Sequence, residues 1–415
     1  MKFTKMSLVA ALLVGSSAFA IENTKVSGDA KLFYSTNDDT NELVPTGVAG
    51  SKASLFNKDS SAGQAAVSLG LTTDLVTGVS AGVKGTVLTT LGLQGQLVNN
   101  VWEATNGVSD SYIVNEAWMA TTLGKTTAKI GRMELDTPLV FSEKWSIVAN
   151  TFEAAVVINQ DVPDTVLVGA YVGGSNGAHN TNAATIAGGG IGNILAGQGN
   201  NDTTFSQFHR GAYAVAAINN SFKPLTVQAW YFQASHVLKS AIWLQADLAC
   251  QKVPGLMVGL QYSTMDLSSL APALKSNDVM AAMVGYEMKD LMTAKLSYSV
   301  VSNDAGKGAG FNLSGGAAPQ SKLYTEAWWN YGNVTGVDTK TMNLTVEAPV
   351  ADVADFGLYV TAFDKPGIKT DATEVTITAS KSVGPLDATL AAIYYDDDAV
   401  ADTTMTVQAY LTLNF

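Results

Sequence analysis

Met405-Thr406-Val407-Gln408-Ala409-Tyr410-Leu411-Thr412-Leu413-Asn414-Phe415 alternates without a break. Met405, Val407, Ala409, Leu411, Leu413 and Phe415 are apolar, and the residues between them are polar or amphipathic. A strict period of two gives an extended strand one oily and one wet face. The stretch closes on an aromatic, Phe415, rather than on a polar tail. Left at an open edge, such a strand would template aggregation, so it needs partners on both sides or a sheet closed on itself. The last strand of a soluble sandwich would show the same pattern, and the rest of the chain decides between the two.

The same alternation recurs upstream. It starts at Val26-Gly28-Ala30-Leu32-Tyr34 and continues through Ala65–Leu71, Val79–Val87, Tyr112–Leu123, Thr126–Arg132, Phe152–Ile158 and Val166–Val172. It resumes at Ala212–Ile218, Leu225–Tyr231, Ile242–Leu248, Leu256–Tyr262, Met280–Tyr286 and Ala294–Val300. Met342–Val346, Phe356–Ala362, Val375–Ala379 and Leu386–Tyr394 then lead to the terminal stretch. Short connections rich in Gly, Pro or Asp, such as Gly124-Lys125, Lys223-Pro224, Pro254-Gly255 and Gly384-Pro385, alternate with long ones. The long ones cover 35–62, 89–111, 133–151, 173–208, 265–278 and 302–338. Leaving Leu323–Tyr331 inside the last of these gives about eighteen strands, an even number with both ends on one side. Thr325-Glu326-Ala327-Trp328-Trp329 then becomes a loop element that folds back toward the interior.

Composition favours a membrane barrel over a sandwich. Only 14% of residues are charged while 47% are hydrophobic, whereas soluble domains carry about a quarter charged residues. No apolar run is long enough for a membrane helix. A barrel with its oily face in lipid needs no charged exterior. The formal charge of -12 argues against nucleic-acid binding. Cys250 is the only cysteine, which excludes an internal disulfide and a cysteine-based metal site. Its parity with Ile242, Leu244, Ala246 and Leu248 places it on an outward face.

Residues 1–20 read as an export signal: Lys2 and Lys5, an apolar run from Met6 to Gly15, and the small-x-small pattern Ala18-Phe19-Ala20. One domain is expected over 21–415, a transmembrane antiparallel all-β barrel.

Gly131-Arg132-Met133-Glu134-Leu135-Asp136-Thr137-Pro138-Leu139, followed by Trp145 and Asn150-Thr151-Phe152-Glu153-Ala154-Ala155, resembles the third-loop region of the OprD-like porins, including the Campylobacter-type major outer-membrane porins. The leader and the Phe-terminated strand are similar to that family too. The resemblance implies an eighteen-stranded barrel of the Gram-negative outer membrane, commonly a homotrimer, with an inward-folded third loop. It also implies assembly machinery that reads the terminal strand. One departure stands out: such channels resemble one another in a ladder of basic residues that guides carboxylates, and this chain has two arginines, Arg132 and Arg210.

The candidate constriction is therefore Arg132, Glu134, Asp136, Glu143, Lys144 and Glu153. Opposed charges there would create a transverse field that filters solutes, and the excess of acids would favour cations. The alternative is that Arg132 and Asp136 only pin the loop, with Pro138 fixing its bend. Glu116 and Lys129 share inward parity and read as lumenal solvation. His179, His209 and His236 follow no hydrolase pattern, and the glycine clusters lack the sequel of a phosphate loop. No enzyme activity and no cofactor are expected. The resemblance implies calcium near the constriction in some members, but no complete ligand set matches. Asp396-Asp397-Asp398 with Asp402 offers hard oxygen ligands, and a solvated acidic loop explains it more simply. The expected function is a water-filled porin for passive diffusion of ions and small hydrophilic solutes. The alternative is a non-conducting surface or adhesin barrel whose long loops do the work.

Overall fold

The computed structural model describes residues 22–38, 54–93, 95–98, 100–101, 111–143, 147–176, 206–234, 238–267, 276–303, 308–315, 319–351, 353–366, 370–400 and 403–415. The export signal lies outside the described residues. The first half of the wall is β1 (Glu22–Asn37), β2 (Ser61–Val76), β3 (Val79–Thr89), β5 (Ser111–Leu123), β6 (Thr126–Met133), β7 (Phe152–Asn159), β8 (Thr165–Ser175), β9 (Ser206–Asn219) and β10 (Leu225–Ala234). The second half is β11 (Leu238–Ala249), β12 (Leu256–Asp266), β13 (Ser276–Met288), β14 (Met292–Val301), β15 (Lys340–Val350), β16 (Ala354–Lys365), β17 (Thr370–Val383), β18 (Leu386–Asp397) and β19 (Thr404–Asn414). A two-residue segment, β4 (Asn100–Val101), runs parallel to the top of β2 inside the second outer loop.

Each wall strand pairs antiparallel with its neighbour, and β19 returns to β1 from Asp29↔Asn414 to Asn37↔Thr406, closing an eighteen-stranded barrel. Every segment of alternating sequence named above lies on one of these strands. Leu323–Tyr331 forms no wall strand, as the even count required.

Burial is inverted relative to a soluble protein. Leu260, Met280 and Ile377 are more than half exposed, whereas Ser263, Thr341 and Thr376 are fully buried. Alternation sends the first set toward lipid and the second into the lumen, the expected division for a membrane barrel. On β19 the wet residues Thr406 and Gln408 point inward and are buried.

The lumen is partly filled. The described residues of the third outer loop, 134–151, and of the seventh, 302–339, turn inward. Leu139 on the third loop joins Phe311, Leu313, Leu323 and Val334 on the seventh in one apolar cluster with Phe152, Trp230, Phe232, Trp243 and Phe363 of the wall. A smaller cluster seats Ile147 and Val148 on Phe33, Ala66, Leu88 and Ile113 of the neighbouring strands β1, β2, β3 and β5. The aromatics divide between the two faces. Tyr112, Tyr171, Tyr231, Tyr286, Tyr298 and Tyr394 lie on the outer face. Trp118, Trp243 and Tyr395 face inward, where Trp118 and Trp243 donate to Glu116 and Gln245 of the wall and Tyr395 accepts from Asn333 of the seventh loop.

Candidate functional site

Two edges of loop backbone meet in the middle of the barrel. Leu313 N–H donates to Leu139 O at 2.8 Å. The Asn312 side chain accepts from Phe141 N–H at 3.2 Å and donates to Phe141 O at 2.9 Å. Glu143 is buried at this seam and accepts from Asn312 Nδ2 and from Gln320 N–H, both at 3.0 Å. The expectation that Glu143 lines the pore is corrected by this placement: its carboxylate is used in joining the two loops.

Wall side chains hold the seventh loop from several directions. Glu374 on β17, also buried, accepts from Trp328 N–H at 2.9 Å, Trp329 N–H at 3.1 Å and Asn330 N–H at 2.6 Å. Gln261 on β12 donates to Lys322 O at 2.9 Å and accepts from Tyr324 N–H at 3.0 Å, copying the pairing of an adjacent strand. The Tyr324 hydroxyl donates to Asp247 on β11, and burial beside that carboxylate raises the phenol's pKa. The ring of Trp328 rests 5.0 Å from that of Tyr359 on β16. The inward fold of Thr325–Trp329 is therefore built by both partners.

Asp136 is 83% exposed and forms an ion pair with Lys322 of the seventh loop at 2.8 Å. Lys322 also lies 4.6 Å from the centroid of the Phe141 ring. Glu134 borders a cavity of about 290 Å³ between the third loop and the adjoining wall from β19 and β1 to β5, together with Lys31, Lys84, Asn115, Phe33 and Tyr410. Lys31 and Lys84 flank Asp29 at 3.7 and 3.5 Å. Lys129 sits 4.1 Å from the Trp118 ring, within electrostatic reach of Glu116 and Glu134. The indole N–H of Trp118 donates to Glu116 at 3.1 Å, so both charges are integrated into the wall.

Arg132 and Glu153 occupy the other face. They are opposite one another on β6 and β7, and each lies two residues along from an outward position, exposed Ile130 and outward Ala155. Their neighbours Met133 and Phe152 point into the lumenal core. Arg132 Nη2 pairs with Glu153 Oε1 at 3.1 Å and Nη1 donates to Val114 O at 2.9 Å. The geometry corrects their assignment to the constriction: the guanidinium ties β5, β6 and β7 together from outside, so Arg132 pins the wall. Lys144 and the histidines' side chains lie outside the described residues, as does that of Arg210.

Among the described residues no group of three or more His, Cys, Asp or Glu could hold a metal ion. Asp397 instead pairs with Lys365 at 2.9 Å and accepts from the Tyr395 hydroxyl at 2.8 Å, while Asp396 faces the opposite way and Asp402 is not described. Of the expected constriction set, the structure therefore brings Glu134 and Asp136 to the open lumen. Lys31, Lys84, Lys322 and Glu374 were missed. Lys31 and Lys84 carried a signal, their wet parity on recognisable strands, whereas Lys322 lay in a loop without periodicity.

No protein-family model and no curated protein matches the sequence. Solved structures do match in fold. Pseudomonas aeruginosa OccK8 (OprE) is similar at 14% identity over 96% of this chain and 99% of that one, with a TM-score of 0.70. Pseudomonas aeruginosa OpdK, solved with vanillate, is similar at 12% identity over 95% and 99%, with a TM-score of 0.70. Pseudomonas aeruginosa OccK9 (OpdG) is similar at 11% identity over 96% and 100%, with a TM-score of 0.71. At these identities the likeness is one of fold, and the chain has the closed eighteen-stranded barrel of the Pseudomonas OprD/Occ outer-membrane channels.

Proposed function

We propose that this chain is a passive diffusion channel of the Gram-negative outer membrane, carrying ions and small hydrophilic solutes and catalysing no reaction. The observation that carries the reading is the closed barrel with an apolar exterior and a polar lumen narrowed by two docked loops. Vanillate, a small aromatic carboxylate, occupies OpdK, and solutes of that size class suit the space beside the third loop. The third-loop resemblance favours the Campylobacter-type branch.

The channel prefers cations slightly. Around the third loop Glu134 and Asp136 face Lys31, Lys84 and Lys322, so charge is nearly balanced there. Elsewhere Asp247, Glu347 and Asp387 hold inward positions, opposed by Lys295, and a lumen of one prevailing sign enriches the opposite ion. Its other partners are outer-membrane lipid, the assembly machinery that reads the terminal strand, and two further copies of the chain. The trimer would pack through the outer face of β5–β8. There β6 and β7 have 8 residues each, fewer than the roughly nine to eleven a tilted strand needs to cross the bilayer.

Planar-bilayer recording in a salt gradient tests the reading. The wild type should conduct, with a reversal potential of slight cation preference. Neutralising Glu134 and Asp136 together (E134Q, D136N) should move that potential toward anions, whereas E153Q on the outer face should leave it in place. A folded barrel that passes no current would favour the surface-protein reading, and an anion-preferring wild type would remove the charge argument.

A further inference from the structure

We propose that the cavity between the third loop and the adjoining wall is a binding site for a small uncharged polyol, held through a hydroxyl that donates to Asn115. The inference rests on the reading of the barrel as a conducting channel and names the solute class held on the way through. Its basis is an irregularity in β5. Lys84 pairs with Glu116 and Gly85 pairs with Val114, so Asn115 is left without a partner on β3. Such a bulge sets two residues of one strand against one of the next and re-aims a side chain. Here it breaks the alternation: Val114 and Ala117 are exposed on the outer face, while Asn115 and Glu116 both turn toward the lumen. Asn115 is 5% exposed and lines the cavity, yet its Oδ1 is buried and accepts no hydrogen bond from the described residues. A buried acceptor without a donor is destabilising, and a solute that brings the donor removes that penalty.

The groups around Asn115 supply donors and acceptors whose charges cancel. Lys31 and Lys84 bring two ammonium groups to the cavity, with Asp29 between them at 3.7 and 3.5 Å. Glu134 enters from the third loop, within electrostatic reach of Lys129. The hydroxyls of Ser68 and Thr86, also on the lining, are bonded to each other at 2.9 Å. Ile147 and Val148 of the third loop give the cavity one apolar side.

This arrangement discriminates by charge. A carboxylate drawn to Lys31 and Lys84 meets Asp29 between them, and an ammonium drawn to Glu134 meets the same two lysines. A charged solute therefore gains little net attraction here and loses its hydration on entry. An uncharged ring with several hydroxyls donates to Asn115 Oδ1 and Glu134 and accepts from Lys31 and Lys84. Its C–H face then rests on Ile147 and Val148. Ligand pockets span roughly 300–1,000 Å³, and this cavity of about 290 Å³ stands at the small end. One ring fits that space better than a chain of rings.

Single-channel recording with added glucose, glycine or benzoate tests this, each current being read against the same variant's solute-free value. Glucose should lower the wild-type current saturably, beyond the proportional fall that viscosity causes, and glycine and benzoate at equal concentrations should not. Asn115→Leu removes the acceptor and should raise the half-saturating glucose concentration about tenfold. Asn115→Asp keeps an acceptor oxygen and should recover most of the wild-type response. Lys84→Met removes a donor, serves if Asn115→Leu fails to fold, and should weaken the glucose response about threefold. Phe222→Ala, at an exposed turn away from the cavity, should respond like the wild type. A wild-type current that glucose lowers only in proportion to viscosity, or a saturable response retained in Asn115→Leu, overturns the site. A stronger response to glycine or benzoate than to glucose overturns the uncharged class. A folded protein that passes no current would instead overturn the channel reading. Equilibrium dialysis with radiolabelled glucose would then decide the site: binding weakened by Asn115→Leu supports it, and equal or absent binding overturns it.

Discussion

Glu374 concentrates in one side chain what holds the seventh loop inside the barrel. Its two oxygens accept from three consecutive loop amides and from Asn330 Nδ2 at 2.9 Å. Bonds to a carboxylate are stronger than neutral ones, and a buried donor deprived of its partner carries the full desolvation cost. Glu374→Ala should therefore weaken loop docking by about 3–5 kcal/mol. Raised single-channel conductance and faster proteolysis within 319–339 of the folded protein would show it, and wild-type values of both would assign docking to the apolar cluster alone. Alternation with Val375 and Ile377 marks Glu374 as inward from sequence, but its partner is an aperiodic loop far earlier in the chain. For Arg132 and Glu153 the reverse holds. Counting in twos from Ile130 and from Val157 places both on the lipid side, and proximity to the third loop was the weaker guide.

At the level of elements, strands were legible and loop conformations were not, because a strand advertises its face through a period of two while a docked loop has no period. The tryptophan pair at Trp328-Trp329 was the exception, since two large apolar rings in a polar segment imply something to bury against. The depth of docking follows from reciprocal contacts: residues 139–143 and 312–314 satisfy each other's backbone groups, which a low-dielectric interior requires. The two loops are therefore coupled. Replacing residues 308–335 by a short turn should preserve the β14–β15 pairing, enlarge conductance, and also release the third loop, whose Phe141 and Glu143 would lose their partners. Adding D136N to the excised protein should then shift the reversal potential less than it does in the wild type, because the acid would no longer be held beside the seventh loop. An unaltered shift would mean that the third loop keeps its place without the seventh.

The whole molecule depends on one closing seam. Every pairing of wall strands but one joins neighbours in the chain, whereas β1 and β19 come from opposite ends and carry the loop-closure entropy of the entire barrel. Their ladder ends in a reciprocal pair: Gly28 N–H donates to Phe415 O at 2.7 Å, and Phe415 N–H to Gly28 O at 3.0 Å. The Phe415 ring lies over Gly28, where a Cβ would meet the ring and also Ser68 O at 2.6 Å. Glycine is thus required there by a close approach rather than by its backbone angles. Alternation alone marked both strands of this seam, but nothing periodic could say that Gly28 is the seat of the last residue. Gly28→Val should displace the ring and fray the end of the seam, lowering the fraction that migrates as a folded, heat-modifiable species. Deleting Phe415 should do the same by removing the two terminal hydrogen bonds, about 1 kcal/mol each, together with the ring contact. Because deletion also alters the ending that assembly machinery would read, both variants belong in detergent refolding as well as in cells. A seam defect lowers yield in both settings, while loss of a recognition signal lowers it only in cells. Phe222→Ala, at an exposed turn on the far wall, controls for loss of an aromatic as such and should refold like the wild type. If Gly28→Val refolds like that control, the Phe415 ring adjusts without cost and closure rests on the inner rungs from Ala30↔Leu413 upward.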